Sequence, residues 1–235
     1  MTITETTSVA EVAAAMPASV RVFQRHGVDF CCGGKKPLGV VCEEQGLSFA
    51  ELADAIERAA ATHTHESRDW TGVPLHILID HIVTTYHDVL REELPRLETL
   101  AARVLRVHGG REPRLLGRIE AIVAELSADL SEHMRKEELV LFRMIRAIEA
   151  TAATTGGLAI STPIRVMERE HDRAGELLAE LRAITGGYDA PRWACETLRA
   201  LYHGLEALEE SMQMHVHLEN NVLFPRAVRL AAETA

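Results

Sequence analysis

Two stretches decide the fold: His133-Met134-Arg135-Lys136-Glu137 and His215-Val216-His217-Leu218-Glu219. Each sets a histidine and a glutamate four residues apart, which on a helix puts both on one face, one turn above the other. An imidazole nitrogen and a carboxylate converging from one turn form half of a transition-metal site. A single His-x-x-x-Glu is commonly an ordinary surface pair. Two copies, each inside a long apolar repeat, predict a dinuclear metal site in a helical bundle.

Around these stretches the apolar residues recur at alternating steps of four and three, the spacing of a bundle helix's inward face. The first helix, from Pro74, reads His76, Asp80, Val83, His87, Leu90, Leu94, Leu97, Ala101, Val104 and His108; a kink is expected at Pro95 and an end at Gly109-Gly110. The second reads Leu116 through Leu130, His133, Glu137, Val140, Met144 and Ala147, and residues 151–157 break it. The third reads Ile164, Met167, His171, Ala174, Leu178 and Leu181, ending at Gly186-Gly187. The fourth, opening near Pro191, runs from Leu198 to Val222 through Met212, His215 and Glu219. Four such helices predict an all-α, up-down-up-down four-helix bundle.

The face should be apolar, yet it carries His87, His133 with Glu137, His171, and His215 with Glu219. Buried carboxylates are costly unless paired or bound to metal. A lone histidine on such a face is ordinarily a hydrogen-bonded core residue. Four on four helices, two with a glutamate one turn on, point instead to ligands. His87 lies 21 residues before His108 and His133 lies 21 after Glu112, so both sit about 30 Å from their shared loop. A ferritin-like site requires Glu-x-x-His on two helices, and only Glu168-x-x-His171 matches. Asp129, Glu168, Glu170 and Ser211 lie within a turn of the ligands and are candidates to hydrogen-bond their imidazoles. The remaining histidines, His217 among them, read as packing, linker or helix-end residues.

Residues 1–61 read as a small helical domain. Ser8 caps a helix to Met16, Pro17 opens one to Gly27, Pro37 starts one to Gly46, and Ser48 with Glu51 boxes a fourth to about Ala61. Residues 62–73 form a polar linker, and 74–235 form the bundle. Between Gly27 and Pro37 lies Asp29-Phe30-Cys31-Cys32-Gly33-Gly34-Lys35-Lys36. The lysines and the helix start at Pro37 are expected to lower the thiol pKa values. Redox thiols, iron ligands and small residues in a tight turn all fit this loop. Cys42 fits a buried helix face, and Cys195 a structural role.

A net charge of −10 leaves no positive excess for nucleic-acid phosphates. No apolar run approaches the roughly 20 residues of a membrane span. The N-terminus lacks the basic segment of a secretory signal. Four cysteines, two adjacent, do not form a disulfide framework. A cytoplasmic protein is expected.

From Pro74 onward the chain resembles the hemerythrin-like di-iron bundle. Residues 8–61, with Asp29 through Gly34, resemble the small domain joined to it in the iron–sulfur cluster repair di-iron proteins, the repair of iron centres family. The resemblance is carried by Asp80-His81-Ile82 through Tyr86-His87-Asp88, His133-Met134 with Lys136-Glu137-Glu138, Met167-Glu168 with Glu170-His171-Asp172, and Leu218 through Pro225. It implies two non-haem irons with an oxo or hydroxo bridge, held by His87, His133, Glu137, His171, His215 and Glu219, both glutamates bridging. It implies repair of iron–sulfur clusters damaged by nitric oxide or peroxide, through iron donation or nitric oxide reduction. Cys31 and Cys32 would relay iron or electrons. The partners would be damaged iron–sulfur proteins, with nitric oxide or dioxygen as small ligands. A nitric oxide reductase proper, and a sensor or carrier without turnover, stay open as alternatives. Oxygen-carrying hemerythrins add a histidine one turn from that of the third helix; Gly175 stands there, which leaves room for an exogenous ligand.

Overall fold

The computed structural model describes residues 1–62, 69–151 and 157–233. The linker histidines His63 and His65, and residues 152–156 of the second interhelical break, lie outside the described residues. Every regular element among the described residues is helical, and helices pack as a bundle.

Four short helices come first: α1 (Val9–Ala15), α2 (Ser19–His26), α3 (Leu38–Gln45) and α4 (Phe49–Thr62). Ser8 and Glu11 form a reciprocal capping box: the Ser8 hydroxyl accepts from the Glu11 amide at 3.2 Å, and the Glu11 carboxylate from the Ser8 amide at 2.9 Å. Gly27 and Gly46 end α2 and α3 at φ +66° and +68°, which residues with a Cβ rarely adopt. Val9, Val12, Val22, Phe23, Phe30, Leu38 and Ile56 are fully buried in one core. The first turn of α1 and the chain before it are laced to the thiol loop and α3, with Ala10 N donating to Gly34 O at 2.8 Å and Leu38 N to Thr7 O at 2.8 Å.

That lacing makes a testable claim about glycine. A Cβ on Gly34 would stand 2.6 Å from the Phe30 carbonyl oxygen, whereas one on Gly117 would meet nothing within 4 Å. Gly34→Ala should cost about 1–3 kcal/mol by forcing the backbone apart. Gly117→Ala, in a helix, should stabilise by up to about 1 kcal/mol. Urea denaturation of both variants checks the opposite signs.

Further helices follow: α5 (Leu75–Ile82), α6 (Asp88–His108), α7 (Pro113–Lys136), α8 (Phe142–Thr151), α9 (Gly157–Ile184), α10 (Glu196–His217) and α11 (Phe224–Glu233). Three π-helical turns join consecutive segments: π1 (Val83–His87) between α5 and α6, π2 (Glu137–Leu141) between α7 and α8, and π3 (Leu218–Leu223) between α10 and α11.

Those turns correct the expected inward faces. A π turn accommodates one residue more than an α turn, so the buried face shifts by one position across it. Upstream of π1 the buried residues are Leu75, Leu78, Ile79 and Ile82, not His76, Asp80 and Val83. From the last residue of π2 onward they are Leu141, Phe142 and Ile145, while Val140 is 51% exposed. In α9, which has no π turn, Ile164, Met167, His171, Ala174, Leu178 and Leu181 are all buried as spaced. The displaced polar residues find outside partners: His76 Nδ1 lies 2.7 Å from Glu149, and Asp80 accepts from Arg146 at 2.6 Å. The fourth long helix begins at Glu196 rather than near Pro191, because Pro191 to Ala194 form a turn closed by a 2.8 Å hydrogen bond.

The chain divides into two compact units, Met1–Ile79 with Ile148–Gly157 and Gln213–Ala235, and Asp80–Ala147 with Leu158–Met212. In the first, Glu149 caps α5 by accepting from the Leu75 and His76 amides at 2.6 and 2.8 Å. Arg226 of α11 donates to the carbonyls of Trp70 and Val73 at 2.8 and 2.5 Å. In the second, Gly204 of α10 lets α6 approach so closely that a Cβ would meet Leu97 at 2.7 Å.

Candidate metal centre

Each π turn carries or abuts a residue of ligand type: His87 closes π1, Glu137 opens π2 just after His133, and Glu219 is the second residue of π3. π turns within α-helices concentrate at functional sites, since the extra residue re-aims a side chain. His87, Glu137, His215 and Glu219 are fully buried, and His133 and His171 nearly so.

The distances among them have the spacing of ligands around an ion. His133 Nε2 and His171 Nε2 are 3.0 Å apart. Glu137 Oε2 is 3.3 Å from His133 Nε2 and 3.4 Å from His87 Nε2, and His215 Nε2 is 3.2 Å from Glu219 Oε1. Donors about 2.1 Å from a shared cation stand roughly 3.0 Å apart at octahedral and 3.4 Å at tetrahedral angles. Two groups, His87 with Glu137, His215 and Glu219, and His133 with Glu137, His171 and Glu219, each offer ligand atoms within 4.8 Å of one another. Imidazole and carboxylate suit iron, zinc or manganese. The chemistry of the donor set therefore fits a metal, and the buried His/Glu cluster is a metal-site candidate.

Carboxylates set the direction of two imidazoles. His133 Nδ1 donates to Glu170 at 2.9 Å and His87 Nδ1 to Glu138 at 2.7 Å, which leaves each Nε2 lone pair to face the cluster. Each carboxylate is backed by a cation, Lys136 behind Glu170 and Arg91 behind Glu138. The hydrogen bond from His133, reinforced by Lys136, holds the Glu170 carboxyl down to about 2 despite partial burial. Phe142 stacks on His87 with ring centroids 5.7 Å apart. Of the residues singled out near the ligands, Glu170 touches His133 rather than His171, Asp129 is exposed, and Glu168 and Ser211 are half-buried. Glu138 escaped the sequence reading, because it lies off the inward face and its partner is 51 residues away. The sequence signal was there: a second acid directly after a ligand.

The thiol loop differs from expectation. Asp29 accepts from the amides of Cys31, Cys32 and Gly33 at 3.0, 3.0 and 2.8 Å, so the loop wraps a carboxylate. Lys36 reaches away to Glu44 at 2.7 Å. The hydrogen bond to Cys32, burial and the neighbouring Asp29 charge all push the Cys31 thiol upward, against the lowering that the sequence suggested. The two sulfurs lie 3.8 Å apart and are not bonded. Cys42 is buried, as expected.

The activated thiol is Cys195. First-turn amides of α10, foremost that of Leu198, and His108 Nε2 at 3.1 Å pull it down to about 7. Half of Cys195 should thus be thiolate near pH 7, and its alkylation rate should rise with a midpoint there. Peptide-resolved labelling with iodoacetamide should find it at least ~10-fold faster than Cys31 at that pH.

Residues 78–227 match the hemerythrin HHE cation binding domain, and residues 5–60 match a domain of unknown function, DUF542. The chain is 41% identical over 225 residues to the iron-sulfur cluster repair protein YtfE of Yersinia pseudotuberculosis, covering 94% of this chain and 96% of that protein. It is 36% identical over 219 residues to a probable iron-sulfur cluster repair protein of Haemophilus influenzae, covering 93% and 95%.

Proposed function

The chain belongs to the hemerythrin HHE family and to its iron–sulfur cluster repair members, and on that premise we propose that it repairs clusters damaged by nitrosative and oxidative stress. Two irons are bound by His87, His133, Glu137, His171, His215 and Glu219. The observation that carries this reading is the pair of four-ligand groups with Glu137 and Glu219 common to both, as two bridging carboxylates require. Residues 1–61 serve as the thiol domain, 62–73 as linker and 74–235 as the iron-binding bundle.

When bound, iron supplies one-electron redox chemistry and a coordination position for a small ligand such as nitric oxide. The chain orients the donors. Glu138 and Glu170 keep the protons of His87 and His133 on Nδ1, and Phe142 fixes the His87 ring plane. Gly175, one turn beyond His171, presents no donor. Iron destined for a damaged cluster is cargo, and Cys31 with Cys32 suits its transfer: two thiolates about 2.3 Å from one tetrahedral ion stand roughly 3.8 Å apart, which matches the 3.8 Å between these sulfurs. The targets are iron–sulfur proteins of the cytoplasm, where unlinked thiols persist.

Anaerobic iron loading followed by nitric oxide, in the presence of a nitric-oxide-damaged iron–sulfur protein, tests the reading. Close to two irons per chain and recovery of the target cluster are expected, with iron appearing in the target. Steady nitrous oxide formation without recovery would reassign the protein as a reductase. Reversible ligand binding alone would make it a sensor, and zinc alone at full occupancy after native purification would remove the di-iron assignment.

A further inference from the structure

Immediately after Glu219, two asparagines hold the thiol loop. Asn220 Nδ2 donates to the Cys31 carbonyl at 3.3 Å, and Asn221 Nδ2 to the Phe30 carbonyl at 2.9 Å. Asn221 also lies 3.0 Å from Nδ1 of His217, whose buried ring meets Phe30 edge-on at 5.6 Å. Phe30 is fully buried and stacked on Phe23 at 6.1 Å. Within the loop, Asp29 accepts from the amides of Cys31, Cys32 and Gly33. Three of the loop's amides are therefore held by its own Asp29, while two of its carbonyls are held by residues of π3.

We propose that Asn220 and Asn221 are positioning residues that couple the thiol pair to the ligand-bearing turn, so that iron held through Glu219 governs access to Cys31 and Cys32. This rests on the metal reading above. A π turn is rare and occurs mostly as a single turn inserted in an α-helix, frequently at a functional site, so its order depends on what anchors it. An ion bound through Glu219 selects the ordered turn and stabilises it by mass action. The next two residues carry that order directly to the Phe30 and Cys31 carbonyls, which flank Cys31. Without iron the turn loosens, the amides release the carbonyls, and the loop opens locally. The thiols are sheltered while iron is held and offered once it has left.

The test is peptide-resolved labelling of the full chain with N-ethylmaleimide, with and without iron, alongside iron content. In the wild type, iron should slow labelling of Cys31 and Cys32 while leaving Cys195 unchanged. In Asn220→Ala/Asn221→Ala, iron content should stay near the wild-type value. Both thiols should label roughly 10-fold faster, as loss of two ordinary hydrogen bonds implies, and iron should no longer change the rate. Asn221→Asp, which keeps the shape but replaces the donor by a carboxylate, should reproduce the uncoupling if the double variant folds poorly. A variant that binds iron and keeps the iron-dependent rate, or a wild type that binds iron without slowing, would overturn the coupling. A wild type that takes up no iron would overturn the metal reading, and the coupling with it.

Discussion

Glu137→Leu should leave the helices intact and strip the protein of most of its iron, to well under half the wild-type content by elemental analysis. Glu137 belongs to both four-ligand groups, so its loss disables both positions at once. The metal-free protein should respond in the opposite direction. A fully buried carboxylate is stabilising only when matched by charge, and replacing such a group by an apolar one of similar volume is neutral or favourable by about 1–4 kcal/mol. The apo variant should therefore melt at or above the temperature of apo wild type, and below that of the iron-loaded protein. Leu130→Ala, a buried site two turns upstream on α7, supplies the contrast: it should lose about 2–5 kcal/mol whether or not iron is present. A Glu137 variant that melts lower than apo wild type would show the carboxylate to be a structural partner rather than a ligand.

Deletion of one residue separates the π turn from the fold. Removing Val140, exposed in the middle of π2, takes away the surplus residue, and the segment should close as an ordinary α-helix with Leu141 and Ile145 still inward. Folding should survive with a modest loss of stability by thermal melting. Iron should be lost, because Glu137 opens that turn and its aim depends on it. Removing Ala124, exposed in the middle of α7, should instead turn everything downstream by about 100° and unfold the protein. Retained iron in the Val140 deletion would mean that the π turn is incidental to the site.

The helix ends of the N-terminal segment were legible because caps and breakers act locally. Ser8 with Glu11, Gly27, Gly46 and Gly109 fix helix ends through hydrogen bonds and dihedral preferences within a few residues of themselves. The inward face of α9 was legible for the same reason, since an uninterrupted α-helix keeps one period throughout. Val140 and Asp80 were misplaced because a π turn leaves no mark in residue type. It appears only when packing on both sides demands a register that one α period cannot satisfy. The Cys31 and Cys195 thiols were misjudged in the same way: their environments are made by Asp29 as folded and by His108, 87 residues from Cys195.

The sequence by itself determined an all-α chain, a series of short capped helices with an adjacent thiol pair, and six histidines and glutamates too polar for the face they share. Those follow from spacing and from the cost of burying charge, which are properties of the chain alone. Only the tertiary structure decided which nitrogen of His87 and of His133 faces the cluster, because Glu138 and Glu170 arrive from 51 and 37 residues away. It alone brought Asn220 and Asn221 to the carbonyls of the thiol loop, about 190 residues back along the chain, where hydrogen bonds are set by distance in space and not in sequence.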